Sequence, residues 1–333
     1  MHPRRRALTV GPIARIVHPV AIGLGLLLLG VVIAGSLGAG LPGAGGFRIL
    51  FEADSVYHHI VVAEDAAARY LRFDRSIQSG MSLRDPFDSP FLYPAYAHLG
   101  LIFRPQARRV LVVGLGGGSI PKRYWRDYPE MTVTVVELDP MVVRVAGEFF
   151  DVRHDPRLRI VVQDGRLFLR RSAQRYDLII LDAYFAESIP FHLTTKEFLL
   201  LVRSRLAPGG AVVSNIIGSL EGQRSKLFRA MYRTFGEVFP GLYPFPTAFR
   251  PYRDPEGIRN IILIATDARG VPREEILRRA RALAPRVTYR DFLRYAGDYY
   301  EAPIAVGDVP LLTDDFAPVD TLVPVYRWAP PNP

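Results

Sequence analysis

Cysteine is absent from the 333-residue chain, which excludes disulfides, thiolate nucleophiles and every cysteine-ligated zinc or iron-sulfur site. Lysine is almost absent as well. Lys122, Lys196 and Lys226 are the only three among 42 basic residues, so the net charge of +9 is carried by arginine. Those arginines are scattered rather than gathered into one stripe, and no basic motif with interleaved aromatics occurs. A nucleic-acid partner is therefore not expected. Close histidine pairs are missing except for His58 and His59, and adjacent side chains on a strand point to opposite faces, so no metal site is expected either. There is no internal repeat. Charge is also missing from Ile16 to Gly46, where His18 is the sole titratable residue.

That uncharged stretch follows Arg4, Arg5, Arg6 and Arg15, and its centre, Val20 to Leu37, is rich in Leu, Ile, Val, Ala and Gly. A helix needs about 20 apolar residues to cross the hydrocarbon layer, and this segment is long enough. Residues 1–46 are read as a basic tail, a single membrane-spanning helix and a flexible Gly-rich joint from Gly38 to Gly46. A cleaved signal peptide is the competing reading, because Ala34, Gly35, Ser36 and Ala39 supply small residues after the apolar run. Arginines ahead of the span favour a cytoplasmic N-terminus and hence an external domain.

Residues 47–104 predict a small β region and a lead-in helix. Val56 to Ala63 and Tyr70 to Phe73 read as strands, Asp74-Arg75 as a turn and Ile77-Gln78 as renewed extension. Tyr93, Tyr96, Leu99 and Ile102 suggest a helix within Pro90 to Phe103. From residue 105 strand and helix alternate. Strands are expected at Val110–Val113, Met131–Val136, Leu158–Val162, Leu178–Leu181, Ala211–Asn215 and Asn260–Ala265. Helices are expected after Gly118 and at Met141–Phe150, Thr195–Leu206, Arg224–Phe239 and Glu274–Leu283, with a turn at Pro208-Gly209-Gly210 and irregular chain beyond 297. The alternation predicts a Rossmann-like, methyltransferase-type α/β fold over 105–333 with a C-terminal extension. In such a sheet the ligand lies beyond the carboxyl ends of the strands.

Chemistry-bearing residues fall at those ends. Gly114, Gly116, Gly117 and Gly118 let backbone amides approach a ligand at a helix start. Glu137 closes the next strand, 21 residues after Gly116, where a carboxylate can accept both hydroxyls of a ribose. Asp164 and Gly165 follow the third strand and suit an adenine amino group, or a simple turn. Asp182 follows the fourth, and a buried carboxylate there calls for a cation or a donor.

The order Gly-Leu-Gly-Gly-Gly (114–118), Val-Glu-Leu-Asp (136–139), Gln-Asp-Gly-Arg (163–166) and Leu-Asp-Ala-Tyr (181–184) resembles the spermidine synthase (polyamine aminopropyltransferase) family. The likeness extends upstream through Ser55-Val56-Tyr57 and residues 71–78, and covers most of 50–265. It implies decarboxylated S-adenosylmethionine, or S-adenosylmethionine itself, held by Gly114 to Gly118, Glu137, Asp164, Gly165 and Asp182. Gln78 and Tyr184 would line the acceptor cleft. The implied partner is a small amine or other nucleophile, and a homodimer is an open expectation. The family carries Asp-Ser-Ser/Thr-Asp-Pro after this strand, its second aspartate deprotonating the amine. Here Phe185 stands in that place, leaving Asp182 and Glu187 as catalytic candidates. Tyr93-Pro94-Ala95-Tyr96 likewise lacks the His/Gln-Glu pair that the family carries before the Gly-rich strand. Residues 189–198 and 312–320 look like a membrane-associated, spermidine synthase-like branch, with Asp314 and Asp315 either reaching over the cleft or forming a surface turn or helix cap, and His192 as a packing, capping or catalytic residue. A methyltransferase and a tethered, inactive nucleotide binder stay open as alternatives. Cofactor supply favours a cytoplasmic domain, against the arginine count.

Overall fold

The structure, a computed structural model, describes residues 47–185 and 188–323. The expected membrane helix lies outside the described residues, among which no helix is long and apolar enough to cross a membrane.

Four antiparallel strands open the described chain: β1 (Arg48–Asp54), β2 (His59–Glu64), β3 (Ala68–Phe73) and β4 (Ser76–Ser82), hydrogen-bonded in that order. Asp74, at φ 52, sits in the β3–β4 turn, a left-handed conformation that aspartate tolerates better than most residues. Ile60, Val62, Leu71, Phe73 and Met81 bury one face of this sheet against Val142, Val145 and Phe150. At roughly 1.5–3 kcal/mol per fully buried large side chain, this contact fixes the small sheet over the mouth of the larger one.

The expected lead-in helix is split. Helix α1 (Tyr93–Ala97) passes into a 3-10 turn over His98–Ile102. Tyr93, Tyr96, Leu99 and Ile102 are all buried and recur every third residue, the period of a 3-10 helix rather than the 3.6 of an α-helix.

The main body runs β5 (Arg109–Val113), α2 (Ser119–Asp127), β6 (Thr132–Glu137), α3 (Pro140–Phe149), β7 (Leu158–Val162), α4 (Gly165–Arg171), β8 (Tyr176–Leu181), α5 (Lys196–Ser204), β9 (Leu206–Gly218), α6 (Lys226–Gly236), β10 (Gly241–Pro246), α7 (Phe249–Tyr252), β11 (Arg259–Thr266), α8 (Arg273–Leu283), α9 (Phe292–Gly297) and α10 (Val319–Leu322). Its seven strands are ordered β10-β11-β9-β8-β5-β6-β7. Pairs among β9, β8, β5, β6 and β7 are parallel, whereas β11 is antiparallel to both β9 and β10. The fold is Rossmann-like, as expected. Val110, Val112, Leu178 and Ile180 face one apolar layer, and Leu111, Val113, Ile179 and Leu181 face the other, so the central strands are buried on both sides.

Further elements differ from expectation, among them β10 and the start of β9. Strand β10, Gly-Leu-Tyr-Pro-Phe-Pro, is not among the expected strands, and its Pro244 and Pro246 would exclude it from the middle of a sheet. It lies at the sheet edge, where a missing N–H is tolerated. Pro208-Gly209-Gly210 is also no turn before a strand, since β9 already begins at Leu206. Tyr176 pairs with Leu206 and Leu178 with Ala211, so the glycines form a bulge inside β9. Gly209 takes φ +71, and a Cβ on Gly210 would stand 2.9 Å from the Ala207 carbonyl oxygen.

The strand order reverses between β5 and β8, with β6 and β7 to one side and β9 to the other. This switch point opens a crevice at the carboxyl ends of β5 and β8. The small sheet and the chain following β8 close over it.

Candidate functional site

The glycine loop leaves β5 beside the end of β8. Gly114, at φ +98, lies so near the chain leaving β8 that a Cβ would meet the Asp182 carbonyl oxygen at 2.4 Å. Its N–H donates to the Val136 carbonyl at 2.8 Å, and the Asp182 N–H donates to Val113 at 2.9 Å. Gly117 faces Phe150 and Ser79, and Gly118 faces Val152, each too closely for a side chain. At 114, 117 and 118 the demand for glycine thus comes from the protein's own packing, and only Gly116 borders more open space.

The amides divide accordingly. Leu115 N–H donates to Glu137 Oε2 at 2.8 Å and Gly118 N–H to the Leu115 carbonyl at 2.9 Å. Among the described residues no acceptor meets the amides of Gly116 and Gly117. These two, rather than four neighbouring glycine amides, are available to a ligand just ahead of α2.

Glu137 faces the loop, and its second oxygen accepts the Asp139 N–H at 3.0 Å. Burial raises its pKa, while the N–H donors act in the opposite sense. With one donor per oxygen, the carboxylate is fixed in orientation and keeps lone pairs for two hydroxyl groups. Asp139 caps α3 through Oδ1, accepting Met141 N–H at 2.8 Å, and its buried Oδ2 has no partner among the described residues.

Asp164 caps α4, accepting Leu167 N–H at 2.7 Å on one oxygen, and meets His192 Nε2 at 2.9 Å on the other. Gly165 is required by packing, since a Cβ would lie 2.5 Å from Val113 Cγ1. His192 thus serves as a partner of the cap. Arg166 binds Asp314 with two hydrogen bonds of 2.7 and 2.5 Å, and Thr195 Oγ1 adds a third at 2.7 Å. The guanidinium holds the Asp314 carboxyl below the usual range. Asp314 therefore fastens the C-terminal segment onto α4 and α5, and Asp315 beside it is exposed.

Asp182 forms the other half of the crevice. Burial pushes its pKa up to about 7, opposed by a 2.8 Å hydrogen bond from Asn215 Nδ2. Asn260 Nδ2 donates in turn to Asn215 Oδ1 at 3.0 Å, so the carboxylate rests on two neutral amides from β9 and β11. Tyr184 OH donates to the Asn215 carbonyl at 3.0 Å and accepts Ile217 N–H at 2.9 Å. Tyr93 OH donates to the backbone carbonyl of Gln78 at 3.2 Å, which ties β4 to α1. Burial, with Asp182 nearby, raises both phenols well above their ordinary range. Phe185 is held by mutual backbone hydrogen bonds with Ser188 of 2.7 and 3.1 Å. Glu187 lies outside the described residues.

Sequence reasoning missed His58. The ring stacks on Phe73 at 4.2 Å and touches Phe185 at 4.6 Å, joining the small sheet to the chain after β8. Burial lowers its pKa, and Nδ1 has no partner among the described residues. His59 points outward to Asp54 and Glu52, as alternation along the chain requires. No signal in the sequence singles out His58 from its neighbour. Among the described residues no group of acids and histidines is arranged to hold a metal.

Glu137, Asp139, Asp164 and Asp182 make the strand ends acidic. Lys122 is bonded to the Pro86 and Phe150 carbonyls and Arg166 to Asp314, so neither offers a free cation to a phosphate. Two open amides, an oriented acid and a carboxylate at the crevice floor fit an adenosyl group ending in a sulfonium better than a phosphorylated nucleotide.

The chain is similar to known proteins. The sequence pattern of the spermine/spermidine synthase domain matches residues 93–268. A polyamine aminopropyltransferase of Vibrio vulnificus (strain CMCP6) is 31% identical over 297 residues, covering 84% of this chain and 92% of its own. Among solved structures, a probable spermidine synthase from Corynebacterium glutamicum ATCC 13032 superposes with a TM-score of 0.59 at 25% identity, covering 70% of this chain and 87% of its own. Spermidine synthase from Thermotoga maritima shares the fold with a TM-score of 0.61 at 19% identity, covering 77% of this chain and 85% of its own.

Proposed function

The chain belongs to the spermine/spermidine synthase domain family, and from that premise we propose that it transfers an aminopropyl group from decarboxylated S-adenosylmethionine to a small amine. The observation that carries this reading is Glu137, oriented by the Leu115 and Asp139 amides beside the two unpaired glycine amides. Glu137 holds the ribose hydroxyls, Gly116 and Gly117 approach the nucleoside, and Asp164 with Gly165 borders the adenine.

When bound, the donor supplies an electrophilic carbon next to sulfur: the amine lone pair forms the C–N bond, the C–S bond breaks, and its electron pair stays on sulfur as a neutral thioether. Asp182, with its pKa near 7, accepts the proton that the nitrogen loses. Asn215 and Asn260 keep that carboxylate aimed, and Gln78 and Tyr184 shape the acceptor side. Much of the acceleration comes from placing the nitrogen in line. Glu187, five residues after Asp182, is a second candidate base. Residues 1–46 are proposed to anchor the domain to a membrane with the site on the cytoplasmic side, where the donor is supplied.

Calorimetry of the full chain with decarboxylated S-adenosylmethionine and S-adenosylmethionine, followed by mass analysis of products formed with amines, tests the assignment. Tighter binding of the decarboxylated compound and a product heavier by one aminopropyl group are expected. Methylated product would favour the methyltransferase reading, and binding without turnover a tethered nucleotide binder. Glu137→Ala should abolish nucleoside binding, and unchanged affinity would refute the ribose role.

A further inference from the structure

Three elements meet on the side chain of Asp164, which borders the adenine in the proposed reading. One oxygen accepts Leu167 N–H at 2.7 Å and closes the cap of α4, while the other meets His192 Nε2 at 2.9 Å. An ionised carboxylate has no proton to give, so Nε2 is the donor and fixes the second oxygen in direction. His192 belongs to a 3-10 turn, Phe191–Leu193, in the chain after β8, and its main-chain carbonyl accepts Arg166 Nη1 at 3.2 Å. Arg166 lies only two residues beyond Asp164, and the Asp164 charge acts on it. A guanidinium so placed competes for that carboxylate unless another acid holds it. Asp314 holds it, taking both arms of the fork at 2.7 and 2.5 Å, with Thr195 Oγ1 as a further donor to Asp314 at 2.7 Å. The segment that carries Asp314 is pinned independently of this carboxylate. Lys196 N–H donates to the Leu312 carbonyl at 2.8 Å, Leu312 N–H to Thr234 Oγ1 at 3.0 Å and Asp314 N–H to Glu197 Oε2 at 2.9 Å.

We propose that His192 and Asp314 are positioning residues for the choice of base: His192 keeps the Asp164 carboxylate aimed at the 6-amino group of adenine, and Asp314 withholds Arg166 from that carboxylate. This deepens the nucleoside part of the transfer reading and rests on it. Each Asp164 oxygen retains a lone pair beyond its present donor. A 6-amino group brings that lone pair a hydrogen. A 6-keto group brings a second acceptor instead, and two acceptors set against one another leave the buried side of the pair unsatisfied. The distinction weakens when the carboxylate is free to turn, and it is lost when a released guanidinium occupies the oxygen. The C-terminal segment, 148 residues from Arg166 along the chain, thereby takes part in selecting the nucleoside without touching it.

The test compares binding of 5′-methylthioadenosine and 5′-methylthioinosine to the full chain by calorimetry, with no amine and no turnover. The wild type is expected to prefer the adenine compound by about tenfold or more. His192→Ala and Asp314→Asn should each reduce that preference by about threefold or more, whereas His192→Gln, whose amide N–H can replace Nε2, should keep it. Adding Arg166→Gln to Asp314→Asn should restore the preference, because the released cation is then gone. A merely structural role for Asp314 predicts no such rescue. A preference unmoved in His192→Ala and Asp314→Asn, equal losses for both nucleosides, or no rescue by Arg166→Gln would overturn the inference while leaving the ribose role of Glu137 intact. Failure of the wild type to bind either nucleoside would remove the transferase reading and the inference with it.

Discussion

At the scale of single residues, the crevice depends on a carboxylate held where water is scarce. Burial raises Asp182 to about 7, and a group whose folded pKa lies above its unfolded value adds stability below the unfolded pKa and loses it as pH rises through the folded one. Wild-type stability should therefore decline between about pH 4 and pH 7 by an amount on the order of 2–4 kcal/mol from this group. Asp182→Asn should remove that slope in urea titrations across the range; an unchanged slope would show that Asp182 is not the source. Catalysis runs the other way. Proton acceptance needs the ionised form, so kcat/KM should climb through pH 7 in the wild type and fall by 100-fold or more in Asp182→Asn. A second position is decided by sterics. At Gly114 an added methyl would stand 2.4 Å from the Asp182 carbonyl oxygen on a left-handed backbone. Gly114→Ala should cost roughly 2–4 kcal/mol and weaken nucleoside binding, because the two strand ends must separate. A denaturant midpoint unmoved by that substitution would contradict the close approach.

At the scale of elements, the end of the sheet opposite the crevice is locked by one side chain. Asp177, near the start of β8, accepts from Arg104 Nε and Nη2 and from the backbone N–H of Arg108 and Arg109 at distances between 2.8 and 3.2 Å, which joins β8 to the entry of β5. Burial alone would raise its pKa, but the Arg108 N–H, Arg104 and the Arg109 N–H together hold it below the ordinary value. A depressed carboxyl contributes stability above the unfolded pKa and loses it as pH falls, so Asp177 should matter at neutral pH and progressively less below about pH 4. Asp177→Ala is expected to cost about 3 kcal/mol at pH 7 and much less at pH 3, measured by urea unfolding at both. The central strands could be read from sequence because Val110 to Val113 and Leu178 to Leu181 are short, fully apolar runs, each ended by the residue that turns into the crevice. Strand β10 could not, since two prolines speak for a loop unless the strand is known to lie at an edge. Glu137 and Asp182 were legible because position along a strand predicts which end they occupy. His58 was not, because its role comes from the small sheet meeting the chain after β8, a contact with no local signature. The glycine loop was half legible: the turn was foreseen, but the packing of Phe150, Ser79 and Val152 against it depends on chain distant in sequence.

At the scale of the whole molecule, the described body is surfaced by arginine ion pairs such as Arg203 with Asp267 and Arg286 with Glu130, and its described helices include none suited to a bilayer. We propose that attachment to a membrane comes from the apolar run between Ile16 and Gly46. Those 31 residues reach about 46 Å as a helix, enough for one crossing and too few for two of about 20 residues each. One crossing sets the cationic head and the domain on opposite sides. The four arginines ahead of it then pull against the need for a donor made inside the cell. We expect the chemical requirement to prevail. In intact cells the domain should resist added protease, while the full chain stays with membranes through alkaline carbonate washing and a chain starting at Phe47 does not. Digestion of the domain from outside would place the crevice where no sulfonium donor is supplied, and it would remove the transferase reading even with Glu137 and the glycine loop intact.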